Sequence, residues 1–145
     1  MSTILRWIGS VVAGLAVSVV LAEALLALIQ LVSGAPALMA VLASGQPLAG
    51  WAELVLICVW LFAAIPGGAM AAAQGRLTGL AVLVGLGCGA APALAALVGG
   101  LSDSTVLLFG LTPLLGALVG ARLTQRVRAL DQSRPVAAVS VRPEL

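Results

Sequence analysis

Four apolar stretches fill this chain, each close to the ~20 residues that a helix needs to cross the hydrocarbon of a bilayer, and its arginines stand only at alternate ends of them. The stretches cover about residues 8–32, 51–73, 77–100 and 105–123. Arg6 precedes the first, Arg76 separates the second from the third, and Arg122, Arg126, Arg128, Arg134 and Arg142 close and follow the fourth. The other two gaps, 33–50 and 99–104, hold no basic residue. Hydrocarbon offers no partner to backbone polar groups, so apolar stretches of this length are read as helices. The positive-inside rule then predicts an even number of crossings, with the N- and C-termini both inside. The expected fold is all-α: a four-transmembrane-helix bundle over residues 1–130 and a disordered cytoplasmic tail over 131–145, where Pro135 and Pro143 break any periodicity.

Composition agrees with lipid as the solvent. The chain is 62% hydrophobic and 8% charged, whereas a soluble domain carries about 25% charged residues to cover its surface. A secretory signal has an apolar region of only ~7–15 residues, so the longer first stretch reads as a retained helix. The chain has no Lys and uses Arg throughout, which points to a GC-rich bacterial genome and hence to the bacterial cytoplasmic (inner) membrane. Nucleic acid is excluded as a partner, because the basic residues collect at one terminus without interleaved aromatics. Arg122, Arg126 and Arg128 suit anionic lipid headgroups instead, and Trp7 and Trp51 fall where interfacial aromatics are expected. In the first outer loop, residues 37–43 read either as a short helix opened by Pro36, lying on or dipping into the membrane surface, or as a loose loop.

Small residues recur every fourth position. Ser10, Gly14, Ser18 and Ala22 form one such row, Ala63, Gly67, Ala71 and Gly75 a second, Gly85 with Gly89 a third, and Gly116 with Gly120 a fourth. Lipid tails are as apolar as leucine, so helices in a bilayer associate through close contact and hydrogen bonds, which small rows permit. These rows are expected to join helices within one chain, or the chain to itself or to another membrane protein. Pro66, Pro92 and Pro113 lie within the second, third and fourth stretches, and each frees a carbonyl four residues earlier. With Gly67 and Gly68 behind it, Pro66 marks the most breakable point, read as a hinge or as a static kink. The tetrapeptide Gly14-Leu15-Ala16-Val17 recurs as Gly79-Leu80-Ala81-Val82, either from a duplicated hairpin or by chance in so restricted an alphabet.

Glu23 is the one acidic residue deep in a stretch. An ionisable group there costs at least ~2.5 kcal/mol to insert, so it is expected to face the bundle interior or water. No cation of this chain lies at its depth. Gln30 continues its face outward, and Cys58 and Thr112 are expected at comparable depth, giving a candidate proton or substrate site of Glu23, Gln30, Cys58 and Thr112. Three readings stand: a structural hydrogen bond between helices, a proton or cation site, or a contact with a partner protein. Glu53, near the outer boundary, is expected to reach water. Cys58 and Cys88 differ in expected depth by about 8 Å of helix rise, too far for a disulfide. With no His and no Lys the chain lacks an imidazole base and a phosphate-loop lysine, and no metal-ligand spacing occurs, so neither an enzyme nor a bound cofactor or metal is expected. Ser102, Asp103 and Ser104 read as a turn and N-cap for the fourth helix.

The layout over residues 4–124 resembles small uncharacterised four-helix bacterial inner-membrane proteins, through Arg6 and Glu23 on the first helix, Trp60 with Gly67-Gly68 on the second, and Pro113 to Gly116 on the fourth. A second, partial resemblance is to the small multidrug resistance transporters, carried by Leu21-Ala22-Glu23 and Ile65-Pro66-Gly67-Gly68. It implies proton-coupled export of a cationic compound, with Glu23 as the shared site. The chain departs from that family in having no Tyr, in Gln74 at the position of a Trp, and in carrying its Pro element inside the second stretch. The expected function is accordingly an accessory or scaffold component acting through helix packing; the alternative is a proton-coupled small-molecule transporter using Glu23.

Overall fold

The structure is a computed structural model that describes residues 3–34, 37–46 and 50–132. Pro36 and the expected tail from 133 onward, with Arg134, Pro135, Arg142 and Pro143, lie outside the described residues. Five helices follow one another: α1 Thr3–Ser33, α2 Leu38–Ala43, α3 Gly50–Gly75, α4 Gly79–Val98 and α5 Asp103–Gln132. All but α2 are long and apolar enough to cross a membrane. Helix ends overrun the apolar stretches most in α5, because backbone hydrogen bonding does not stop where hydrophobicity does. Asp131 and Gln132, assigned to the tail from sequence, are helical: no Gly or Pro interrupts the chain between Gly120 and Gln132.

The four long helices form a rhombic bundle. α3 packs extensively on α1 and on α5, α4 packs on α5 and more lightly on α1, and α3 meets α4 across the middle. α1 and α5 share at most a marginal contact and lie on opposite sides of the α3/α4 pair. Glycines set the register. A methyl carbon added at Gly14 would stand 2.7 Å from the Gly67 carbonyl oxygen, and one at Gly75 would stand 3.4 Å from Ser10 Oγ, so α1 and α3 run antiparallel. A methyl at Gly85 would stand 2.6 Å from Leu114 Cα, and Gly89 abuts Gly110, which makes α4 and α5 antiparallel as well. Gly116 meets Leu61 and Ala64, and Gly120 meets Ile65 and Ala69, so α3 and α5 are parallel.

All four small-residue rows therefore join helices within one chain. Ser10, Gly14, Ser18 and Ala22 are buried, with Leu26 continuing their line, and Ala63, Gly67, Ala71 and Gly75 are buried on α3. Gly67 and Gly68, neighbours in sequence, point about 100° apart on the helix and use that angle: Gly67 receives α1 at Gly14 and Ser18, while Gly68 receives α5 at Ala117. Helix α3 runs unbroken through Pro66 from Gly50 to Gly75. The most breakable point in the sequence is thus packed against α1 on one side and α5 on the other.

Chain reversals are short and chemically specified. At the end of α4, Gly99 and Gly100 close a Schellman motif, with Leu101 N donating to Ala96 O and Gly100 N to Leu97 O, both at 3.0 Å. Gly100 takes the left-handed φ of +69° this needs. The α3–α4 turn uses Arg76 at φ 58°, the one non-glycine residue with positive φ among the described residues. Ser102 Oγ accepts from Thr105 N at 3.4 Å, the N-cap expected for α5.

Of the two readings of residues 37–43, the segment forms the helix, α2. Leu38 and Leu42 are buried in the main core, and the segment docks against the end of α4, where Gly45 and Gly99 touch backbone to backbone. Burying two leucines against protein removes the need for lipid on that face. The Gly-Leu-Ala-Val repeat is not a structural duplication: Gly14 is buried midway along α1, whereas Gly79 is exposed at the first residue of α4.

Arg6, Arg76, Arg122, Arg126 and Arg128 all collect at one end of the bundle, reached by the start of α1, the α3–α4 turn and the last turns of α5. There Gln125 Nε2 donates to Thr78 Oγ1, Thr124 Oγ1 donates to Gly120 O and Ala69 O, and an Arg128 guanidinium N–H donates to Ala73 O at the end of α3. A cation on the last carbonyls of a helix is electrostatically favourable.

Candidate functional site on the outer face of the first helix

Helix α1 is the least covered of the four spans. Only 22% of its most apolar window is buried, against 39–44% in the others, because it meets α3 and α4 along one narrow face. That face is the small-residue row, and the rest of the helix looks outward: Val12, Ala16, Val19, Val20, Ala24, Ala27, Leu28 and Leu31 are exposed. Glu23 stands among them. Ten residues separate it from Ser33, about 15 Å of helix rise, so it sits well inside the apolar slab.

Of the two surroundings expected for Glu23, the bundle interior or water, its exposed position leaves out the interior. The side of α1 turned to α3 is filled by Ser18, Ala22 and Leu26, and in a helix of 3.6 residues per turn Glu23 falls about 100° from Ala22. An interior sealed by glycine contacts has no room for a glutamate, so the one deep carboxyl is carried outside. Glu23 makes no hydrogen bond or ion pair with any described residue.

The other members of the expected cluster do not join it. Gln30 is half-buried two turns further out on α1, and Cys58 is exposed on α3. Thr112 is buried on α5, a helix that scarcely meets α1, and donates within its own helix to Leu108 O at 2.7 Å. The antiparallel register set by Gly14 and Gly67 carries Glu23 to about the level of Trp60, and the parallel register of Gly116 against Leu61 and Ala64 brings Thr112 near the same level, on the far side of α3. Depth counted along separate stretches says nothing of face, and face is what keeps these side chains apart. Glu53 is half-buried in the first turn of α3, where a negative charge suits the helix N-terminus. Pro92 and Pro113 are buried and Pro66 is half-buried, each within a continuous helix.

Two apolar grooves flank α1. One of about 450 Å³ is lined by Ala16, Val17, Val20, Leu21, Ala24 and, across on α3, Pro66. It lies one turn or less from Glu23. The other, about 290 Å³, lies nearer the arginine end between Trp7, Val11 and the α4 residues Leu80 and Leu83. Neither has Glu23, Cys58 or Thr112 in its wall.

Two polar groups outside the expected site are buried. Ser18 Oγ and Trp60 Nε1 have no hydrogen-bond partner among the described residues. Ser18 lies in the α1/α3 contact against Gly67. Its membership of the small-residue row was the available signal, since the row marks it as a contact and a contact hydroxyl needs an acceptor. No group of three or more His, Cys, Asp or Glu side chains able to hold a metal occurs among the described residues. Compared with protein-family models, curated proteins and solved structures, the chain matches none.

Proposed function

We propose that this integral membrane protein is a non-catalytic accessory or scaffold component of a bacterial cytoplasmic membrane, and that the outward face of α1, centred on Glu23, docks a helix of another membrane protein. The observation that carries this reading is a carboxyl held within the apolar slab on the outside of a bundle whose inside is closed by small residues. Left against lipid, an ionisable group at such depth costs on the order of 2.5–3.5 kcal/mol. A partner helix supplying a cation or a hydrogen-bond donor offsets that cost, and interhelical hydrogen bonds in membranes contribute about 0.6–2 kcal/mol. The adjoining groove, walled by alanines and valines, accepts a helix ridge at close range. By the positive-inside rule the arginine-bearing end faces the cytoplasm.

The carrier reading asks for a water-reachable carboxyl with polar neighbours inside the bundle, and no contact of Glu23 supports it. The test is crosslinking in native membranes with a photoreactive residue at Val20 or Ala27, in chains carrying Glu23, Glu23→Gln or Glu23→Leu. Glu23 and Gln are expected to give one discrete adduct larger than the 14.4 kDa chain, and Leu to lose at least three-quarters of it. Adducts with lipid alone in all three backgrounds would refute the docking face. A proton-gradient-dependent transport activity lost in Glu23→Gln would restore the carrier.

A further inference from the structure

Where the α3–α4 turn meets the last turn of α5, the bundle leaves a hollow of about 370 Å³ lined by Arg76, Arg128, Asp131 and Gln132. That size is at the lower end of the ~300–1,000 Å³ typical of small-molecule clefts. Arg128 is held by its bond to the Ala73 carbonyl, which fixes one edge of the guanidinium and leaves its other donors for a ligand. Arg76 reaches the hollow from the turn itself, where its left-handed backbone is already fixed. Neither guanidinium makes an ion pair with a described residue. Two arginines and one carboxylate leave a local charge of +1, which matches a singly charged phosphodiester. Guanidinium forks are suited to the planar, paired oxygens of such a group.

A second hollow, of about 460 Å³, adjoins the first and shares Arg128 and Asp131, but its remaining walls include Val127 and Leu130. The hollow stands at the arginine-bearing end of helices of membrane-crossing length, where a phospholipid headgroup is the anion that meets it. We propose that Arg76 and Arg128 together hold the phosphate of an anionic phospholipid, with Asp131 and Gln132 receiving the hydroxyls of a polyol headgroup. Phosphatidylglycerol has this chemistry. The site is independent of the α1 face. It also differs from the general attraction of Arg122 and Arg126 for an anionic surface, since neither lines either hollow.

The test is native mass spectrometry of the full chain in detergent containing equal amounts of phosphatidylglycerol and phosphatidylcholine, with and without millimolar inorganic phosphate. The wild type is expected to retain one phosphatidylglycerol with at least tenfold preference, and Arg76→Gln to reduce that preference at least fivefold. Arg128→Lys keeps a cation at this position of α5 but loses the fork, and is expected to fall between the two. Arg6→Gln, at the same end of the bundle and outside the hollows, should leave retention unchanged. Displacement by inorganic phosphate would overturn the lipid assignment in favour of a phosphate site. Equal retention of both lipids, or an Arg6→Gln loss as large as that of Arg76→Gln, would overturn the site altogether.

Discussion

At the scale of single residues the glycines divide into two kinds. A methyl added at Gly68 would meet Ala117 backbone atoms, with Ala117 C at 2.6 Å, and one at Gly67 would meet the Gly14 carbonyl and Ser18, whereas Gly9 has nothing within 4 Å. Gly67→Ala and Gly68→Ala are therefore expected to destabilise by about 1–3 kcal/mol each, the cost of forcing a packed interface apart. Gly9→Ala should be neutral or stabilising by up to about 1 kcal/mol, through helix propensity alone. Reversible unfolding in mixed micelles checks all three, and equal behaviour of Gly9 and Gly68 would refute the assignment of contacts. The contact rows were legible because period four survives in any helix whatever surrounds it. Which neighbour each row meets was not, since Gly67 and Gly68 look alike in sequence and differ only in the direction they face.

Elements differ in how much of their origin is local. The reversal after α4 is local: Gly100 has open space around it, so its only demand is a positive φ. Gly100→Ala should cost about 1–2 kcal/mol of backbone strain, and Arg76→Gly should gain a similar or smaller amount at the α3–α4 turn. Thermal unfolding of both variants tests the pair, and a stabilised Gly100→Ala chain would contradict the Schellman closure. Helix α2 is the opposite case. Six residues are too few to be stable alone or to display a periodicity, and what holds them is the burial of Leu38 and Leu42 against the rest of the molecule. The sequence left helix and loop both open at 37–43 for this reason. Leu42→Ser should raise amide hydrogen exchange across α2 at least tenfold while leaving α3 and α5 protected.

Across the whole molecule, hydropathy and charge gave the number of crossings, and the antiparallel order followed from the short connections. The interior location of Glu23 did not follow. Hydropathy counts polar residues without knowing which side of a helix neighbours will occupy, and α1 has neighbours on one side only. The arginine-rich end supplies a test of orientation. With Cys58 and Cys88 replaced by Ala, a membrane-impermeant thiol reagent added to intact cells should label Ser44→Cys and leave Arg126→Cys unlabelled until the cells are opened. The reverse pattern would invert the topology.

One further consequence follows from the twenty residues of α4. They rise about 30 Å, which equals the thickness of an average hydrocarbon layer, while α1 with 31 residues and α5 with 30 have length to tilt or project. The shortest crossing thus decides which bilayers suit this protein. In a sterol-thickened membrane of about 32–33 Å the turns at both ends of α4 would be drawn toward the oil. Reconstitution across lipids of graded chain length should show greatest stability near the thinner end of that series.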